Sequence, residues 1–201
     1  MSSVFDDLSR RFAAGHGQRA PQLWNDPRLD RVTTFKPAAV LFAVTDRPRP
    51  GLLLIHRPSS MRAHPGQVAL PGGKIDPGET VIEAALREAD EELGIAPGNV
   101  QVIGASDLYR TGTGYEITPV LGVIPADIVI RPNPAEVAQW FEAPLDFVLN
   151  PANQRTRTAT FNDRTVNFIE IVWNDGARNH VIWGVTGAIL HNLALRLNEH
   201  A

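Results

Sequence analysis

Residues Gly73–Ile95 read GKIDPGETVIEAALREADEELGI. Glu79, Glu83, Glu88, Asp90, Glu91 and Glu92 crowd into this stretch against Lys74 and Arg87. Clustered carboxylates repel one another. On a helix, like charges three or four residues apart are destabilising. A helix that keeps such a cluster beside an apolar face needs a positive partner. Carboxylate oxygens are hard ligands, so the expected partner is Mg²⁺ or Mn²⁺.

The pattern predicts a helix from Thr80 to Leu93. Thr80 and Glu83 have the spacing of a capping box. Ile82, Ala85, Leu86, Ala89 and Leu93 form one apolar stripe, and Gly94 suits the left-handed residue that ends a helix. With Glu88 at zero on a helical wheel, Glu92 falls near roughly 40° and Glu91 near roughly 300°. The apolar stripe spans roughly 60° to 160° on the same wheel, so these three carboxylates flank the buried face. Glu83 and Asp90 fall on the solvent side. Ahead of the helix, Pro71-Gly72-Gly73 lets backbone approach a ligand closely, and a carbonyl there can complete a metal's coordination. Carboxylate-bound Mg²⁺ takes substrate phosphate oxygens as remaining ligands, which points to hydrolysis of a phosphoanhydride.

The segment resembles the Nudix hydrolase signature G-x5-E-x7-R-E-U-x-E-E-x-G-U, where U is a bulky aliphatic residue. Gly73, Glu79, Arg87, Glu88, Glu91, Glu92, Gly94 and Ile95 fall in register, and Ala89 is small for its position. The resemblance implies that Glu88, Glu91 and Glu92 ligate metal, with Glu91 also a candidate base. It implies that Gly73 offers its carbonyl and that Glu79 pairs with Arg87 to hold loop to helix. It also implies a Nudix-type α/β/α sandwich around a mixed β-sheet.

Upstream, residues 53–73 read LLIHRPSSMRAHPGQVALPGG. This resembles L-L-T-x-R-S/A-x3-R-x3-G-x3-F-P-G-G, the extra signature of the coenzyme A pyrophosphatase branch. Leu53, Leu54, Arg57, Arg62, Gly66, Pro71, Gly72 and Gly73 match, whereas Ile55, Pro58 and Leu70 depart. Arginine clamps phosphate bidentately, so Arg57 and Arg62 are candidate substrate residues. His64 is a further candidate to bond a phosphate. Downstream, residues 132–145 read PNPAEVAQWFEAPL. Nudix enzymes often carry a late-loop glutamate ahead of an aromatic and Pro-Leu, so by resemblance Glu136 is an added ligand or general base. Tyr115 follows Gly112-Thr113-Gly114 and is a candidate to stack on a base. Trp183-Gly184-Val185-Thr186 resembles the run that begins the last helix in this branch, read here as structural.

The remaining chain predicts one domain. Val4, Phe5, Leu8 and Phe12 share a face of a short helix. Residues 1–35 are an N-terminal helix and lead-in to residues 36–201, within the same domain. Strands are predicted at Ala39–Val44 and Leu52–Ile55 as a hairpin, then near Val100–Gly104, Tyr115–Val123 and Asp127–Ile130. A second hairpin joins Thr165–Trp173 to Val181–Trp183 over Asn174-Asp175-Gly176. A last helix runs from Thr186 to Leu197. Interleaved strands and helices with hairpin signals give an α/β class with a mixed sheet covered by helices.

Composition narrows the partners. The chain has 201 residues, 43% hydrophobic, with net charge -3 and no cysteine. No global basic field exists for nucleic acid or an anionic membrane. Disulfides, thiolate zinc sites and a cysteine nucleophile are excluded. No apolar run spans a bilayer, and the start resembles no targeting signal, so a cytoplasmic location is expected. The oligomeric state is left open, a homodimer included. The expected activity is metal-dependent hydrolysis of coenzyme A or acyl-coenzyme A to 3′,5′-ADP and (acyl-)phosphopantetheine. The alternatives are a Nudix pyrophosphatase acting on ADP-ribose or NADH-type dinucleotides, and a non-catalytic Nudix nucleotide sensor.

Overall fold

Ala39, Leu41 and Ala43 alternate along the chain with Phe42 and Val44, and all five are buried. Side chains alternate across a strand, so a strand with both sets buried needs cover on both faces. The computed structural model describes residues 3–19, 21–59, 65–161 and 164–198. The chain begins with α1 (Val4–His16), β1 (Lys36–Thr45), β2 (Gly51–His56), β3 (Val68–Ala69), β4 (Gly72–Lys74) and α2 (Val81–Leu93). It continues with β5 (Gln101–Ala105), β6 (Tyr109–Arg110), β7 (Tyr115–Ile124), β8 (Gln139–Pro144) and α3 (Leu145–Leu149). It closes with β9 (Gln154–Phe161), β10 (Arg164–Asn174), β11 (Asn179–Trp183) and α4 (Gly184–Asn198).

The main sheet has the order β3-β2-β1-β7-β5, with β4 on β1, β6 on β7 and β8 on β2. β1 and β7 are parallel from Lys36↔Tyr115 to Thr45↔Ile124, and the other pairings are antiparallel, so the sheet is mixed. β9, β10 and β11 form a separate antiparallel sheet. One face of the main sheet, with Ala39, Leu41, Ala43, Leu53 and Ile55, packs under α2 through Ala84, Ala85, Ala89 and Leu93. The other face, with Phe42, Val44, Leu52 and Leu54, meets α1, α3, α4 and the small sheet. The result is the expected α/β/α sandwich. Alanines at the α2 seam let the helix lie close to the sheet. Glu92 is buried beside them, while Ile82 and Leu86 are only partly buried.

The N-terminal helix packs on the C-terminal one. A Cβ on Gly15 would overlap the carbonyl oxygen of Arg196. The buried Arg196 guanidinium donates to Gly15 O at 2.8 Å and forks onto Asp107 at 2.6 and 2.8 Å. Further along, Asn192 exchanges two hydrogen bonds with the backbone of Trp24. No helix among the described residues is long and apolar enough to cross a membrane.

The strand expected at Asp127–Ile130 does not form; the segment is irregular. Ile128 and Ile130 still pack against the α2 side of the core. The backbone just beyond them is committed elsewhere: Arg131 N–H donates to Leu93 O at 2.8 Å and Asn133 N–H to Glu92 O at 2.9 Å. Both bonds satisfy carbonyls that a helix leaves open at its C-terminus.

Candidate active site

α2 starts as its sequence predicts. The Thr80 side chain accepts from Glu83 N, and the Glu83 side chain accepts from Thr80 N. Gly94 ends it in the left-handed region at φ 68°, with its N–H on Asp90 O at 2.8 Å. This fixes the phase of the helix, and hence the directions of its carboxylates.

They are not equivalent. Carboxylate oxygens of Glu88, Glu92 and Glu136 lie within 4.8 Å of one another. Glu92 is 3% exposed and accepts from the backbone N–H of Gly72 at 2.9 Å. Burial pushes its carboxyl up to about 8, against the pull of the Gly72 N–H, and the neighbouring Glu88 and Glu136 add to the rise. Burial also raises Glu88, opposed by Arg87. Glu91 lies outside this group, with Arg87 Nη1 donating to its Oε2 at 3.0 Å on the solvent side.

Arg87 is the hub between loop and helix. Its Nε and Nη2 fork onto Glu79 at 2.7 and 3.1 Å. Nη1 donates to Glu88 and Glu91, both at 3.0 Å, and Nη2 also donates to Lys74 O at 3.0 Å. The Glu79 bond, ahead of Glu88, raises the guanidinium pKa further. The pairing of Glu79 with Arg87 that the resemblance implied is present in the structure.

The glycine loop is shaped by close approach. A Cβ on Gly73 would overlap the Glu88 carboxylate, and one on Gly72 would overlap Ala39 O and lie 2.6 Å from Val40 Cα. Gly72 also has φ 153°, which favours glycine. β4 carries both residues and pairs with β1 through Ala39↔Gly73 and Val40↔Gly72. The strand pairing therefore presses the loop against the carboxylates.

Glu136 arrives from far along the chain. It does not start a helix. It sits in a turn in which Glu136 N–H and Val137 N–H donate to Asn133 O at 3.0 and 2.8 Å. Asn133 is itself bonded to the end of α2, so the same contacts that finish the helix deliver the third carboxylate.

A cavity of about 460 Å³ opens over this group. Arg57, Gly72, Gly73, Glu88, Glu92 and Glu136 line it. The Arg57 Nε is buried without a hydrogen-bond partner among the described residues, and its charge acts on Glu92. A buried donor left unpaired costs about 1–3 kcal/mol. Tyr115 also lines the cavity, next to Thr111 and Thr113. Arg62 and His64 lie outside the described residues. Sequence reasoning missed Thr111 and Thr113, and it read Trp183, Val185 and Thr186 as structural, whereas all three lie in the cavity wall. Among the residues missed, the Trp-Gly run alone gave a signal, an aromatic before a glycine with φ 63° at Gly184.

The loop bearing Thr111 and Thr113 is held by the N-terminal lead-in. Asp26, 5% exposed, accepts from Gly112 N at 2.7 Å and from the Arg28 guanidinium at 2.9 and 2.7 Å. Burial opposes ionisation of Asp26, but the Arg28 and Gly112 bonds outweigh it and its pKa falls below the usual carboxylate value.

The donor set fits a divalent cation. Three carboxylates lie within 4.8 Å, with one Arg87 nitrogen on Glu88 and the Arg57 charge acting on Glu92. An all-oxygen group beside a backbone loop suits a hard ion of the Mg²⁺ or Mn²⁺ type.

Residues 34–164 match the NUDIX domain family. An uncharacterized Nudix hydrolase, NudL, of Escherichia coli O6:H1 is 40% identical over 173 residues, covering 85% of this chain and 88% of the relative. The NudL of Pectobacterium atrosepticum is 40% identical over 179 residues, covering 89% of this chain and 91% of the relative. Among solved structures, a Nudix hydrolase from M. Smegmatis, RenU, aligns at TM-score 0.48 with 26% identity, over 55% of this chain and 71% of that one. With the signature in register, its arginine hub formed and its carboxylates gathered, the chain belongs to the Nudix hydrolase family and acts on the phosphoanhydride bond of a nucleoside diphosphate derivative.

Proposed function

We propose that this enzyme hydrolyses the diphosphate linkage of coenzyme A or its acyl derivatives, giving 3′,5′-ADP and (acyl-)phosphopantetheine. The observation that carries the reading is the convergence of Glu88, Glu92 and Glu136 within 4.8 Å, in a cavity whose wall also holds Arg57. The branch signature upstream of Gly73 supports the choice of substrate. In this reading Glu88, Glu92, Glu136 and the Gly73 carbonyl hold Mg²⁺ or Mn²⁺, and Glu91 is a further ligand drawn from its pairing with Arg87. Such an ion supplies charge that polarises a phosphoryl group and acidifies water.

The protein's own groups do the rest. Arg57 binds the diphosphate through its unpaired N–H and withdraws charge from the phosphorus. Glu136 or Glu91 accepts the proton of the attacking water. Arg62 and His64 bind the remaining phosphate of coenzyme A, and Tyr115 packs on the base. The protein works in the cytoplasm, on a small-molecule substrate and without nucleic acid or membrane.

The test is a substrate panel of coenzyme A, dephospho-coenzyme A, ADP-ribose and NADH with Mg²⁺ or Mn²⁺, products identified by mass spectrometry. Coenzyme A is expected to give 3′,5′-ADP and phosphopantetheine with the highest kcat/KM. Equal cleavage of dephospho-coenzyme A would remove the role given to the extra phosphate. A preference for ADP-ribose or NADH would move the enzyme to the dinucleotide reading. Absence of turnover with all four would favour a nucleotide sensor.

A further inference from the structure

Away from the carboxylate group, three titratable side chains lie end to end. Asp175 Oδ2 is 2.9 Å from Nε2 of His180, and Nδ1 of His180 is 2.9 Å from Nε2 of His56. His180 is fully buried and stacks on Phe141 with centroids 3.7 Å apart. Asp175 sits in the exposed turn between β10 and β11. A carboxylate only accepts hydrogen bonds, so His180 donates from Nε2 and, when neutral, accepts at Nδ1. Burial disfavours the protonated form of His56, opposed by a backbone hydrogen bond with Gly66 that favours it. Asp175 is held ionised by the His180 bond first, and then by the N–H groups of Arg178 and Ala177. The surface end of the chain is therefore fixed, with His180 Nε2–H donating to Asp175.

The chain joins two parts of the molecule that share no strand pairing. β2 belongs to the main sheet and β11 to the small one. His56 is the last residue of β2, so Arg57 follows directly, and the His56 carbonyl accepts from Ala138 N at 2.9 Å, two residues beyond Glu136. His180 lies in β11, which runs straight into α4. That junction places Trp183, Val185, Thr186 and Ile189 in the cavity wall. Neither imidazole lines the cavity. The bond between them spans from the side bearing Arg57 and Glu136 to the side bearing Trp183 and Val185.

We propose that His180 is a positioning residue for substrate, acting through His56 to fix the separation between Arg57 and the Trp183–Val185 wall. This rests on cleavage of a nucleoside diphosphate derivative and not on coenzyme A being that derivative. The α2 carboxylates are held by Arg87 and Gly72, not by this chain, so its loss acts on substrate placement before chemistry.

The experiment compares His180→Phe, which fills the same space, with His180→Gln, which keeps polar groups toward Asp175 and His56. Both are assayed with whichever panel compound the wild-type enzyme cleaves, and ADP binding is measured by calorimetry. His180→Phe is expected to raise KM and the ADP Kd about tenfold with kcat within about threefold, and His180→Gln to recover most of the loss. Should His180→Phe not fold, Asp175→Ala cuts the chain from the surface and is expected to raise KM about threefold. In the wild type, the ¹⁵N imidazole spectrum is expected to show His180 protonated at Nε2. Unchanged KM and Kd, a fall confined to kcat, failure of His180→Gln to recover, or a His180 not protonated at Nε2 overturns the proposal. If no panel compound is cleaved, the substrate reading fails by itself, and the ADP Kd and the spectrum still decide on His180.

Discussion

Glu92 accepts a hydrogen bond from the backbone N–H of Gly72 at 2.9 Å, tying the buried end of the carboxylate helix to the glycine loop. The helix and the loop are thus one unit, and a change in either moves the other.

Gly72→Ala and Gly73→Ala separate the two sides of that unit. At Gly73 the new methyl would meet the Glu88 side chain, which must move. A displacement of about 1 Å at a reacting centre costs about a hundredfold, so kcat/KM is expected to fall by about that factor while the melting temperature changes little. At Gly72 the methyl would meet the Ala39–Val40 backbone, which has no such freedom, and φ 153° adds strain. A loss of about 1–3 kcal/mol is expected in denaturant titrations.

Arg87→Lys keeps the charge but loses the fork. Lysine cannot bond Glu79 bidentately while also reaching Glu88, Glu91 and Lys74 O. Activity and metal affinity are expected to fall about 10–100-fold, the usual range for a group that orients ligands. Because the pairs are partly solvated, the melting temperature should barely change. A variant that keeps full activity would show that the hub is dispensable.

Glu92 makes metal-free stability depend on pH. Its folded pKa, about 8, lies above the ordinary 4.5, so the folded state binds the proton more tightly than the unfolded state. Stability from this group is complete below about 4.5 and is lost as pH rises through about 8. In EDTA the melting temperature is expected to fall over that window. Manganese is expected to bind the ionised form and reverse the fall, so its stabilising effect should grow with pH. Glu92→Gln should flatten both responses.

Asp26→Ala tests the latch between the lead-in and the pocket. It removes the acceptor of the Gly112 N–H and of the Arg28 guanidinium, both reached by solvent, so the loss is expected to be about 0.5–1.5 kcal/mol. The Thr111–Tyr115 wall should loosen, raising KM about threefold or more with kcat nearly unchanged. Because the folded pKa of Asp26 is depressed, the wild type should lose this stabilisation only as pH falls below the ordinary carboxylate range. The variant should lack that acid-dependent component.

Much of the fold was legible because its signals are local. Thr80, Glu83 and Gly94 bracket α2, and the alternation from Ala39 to Val44 marked a strand. β8 was missed because its residues, QWFEAP, were read as part of a ligand loop, and pairing with β2 from Gly51↔Pro144 to His56↔Gln139 made them a strand. β9 was missed because QRTRTATF has no apolar side to bury against the main sheet. It is a strand only because β10 pairs with it.

The sequence by itself determined the carboxylate helix, its caps and the glycine loop, because helix phase and turn chemistry depend on residues only three to five positions apart. The resemblance put Glu136 forward, but only tertiary structure set it beside Glu88 and Glu92 and left Glu91 on Arg87. It alone brought His56 to His180, 124 residues away, and set Asp26 under Gly112. Those relations depend on which backbone groups remain unpaired after the sheets form, a quantity that exists only once the chain has folded.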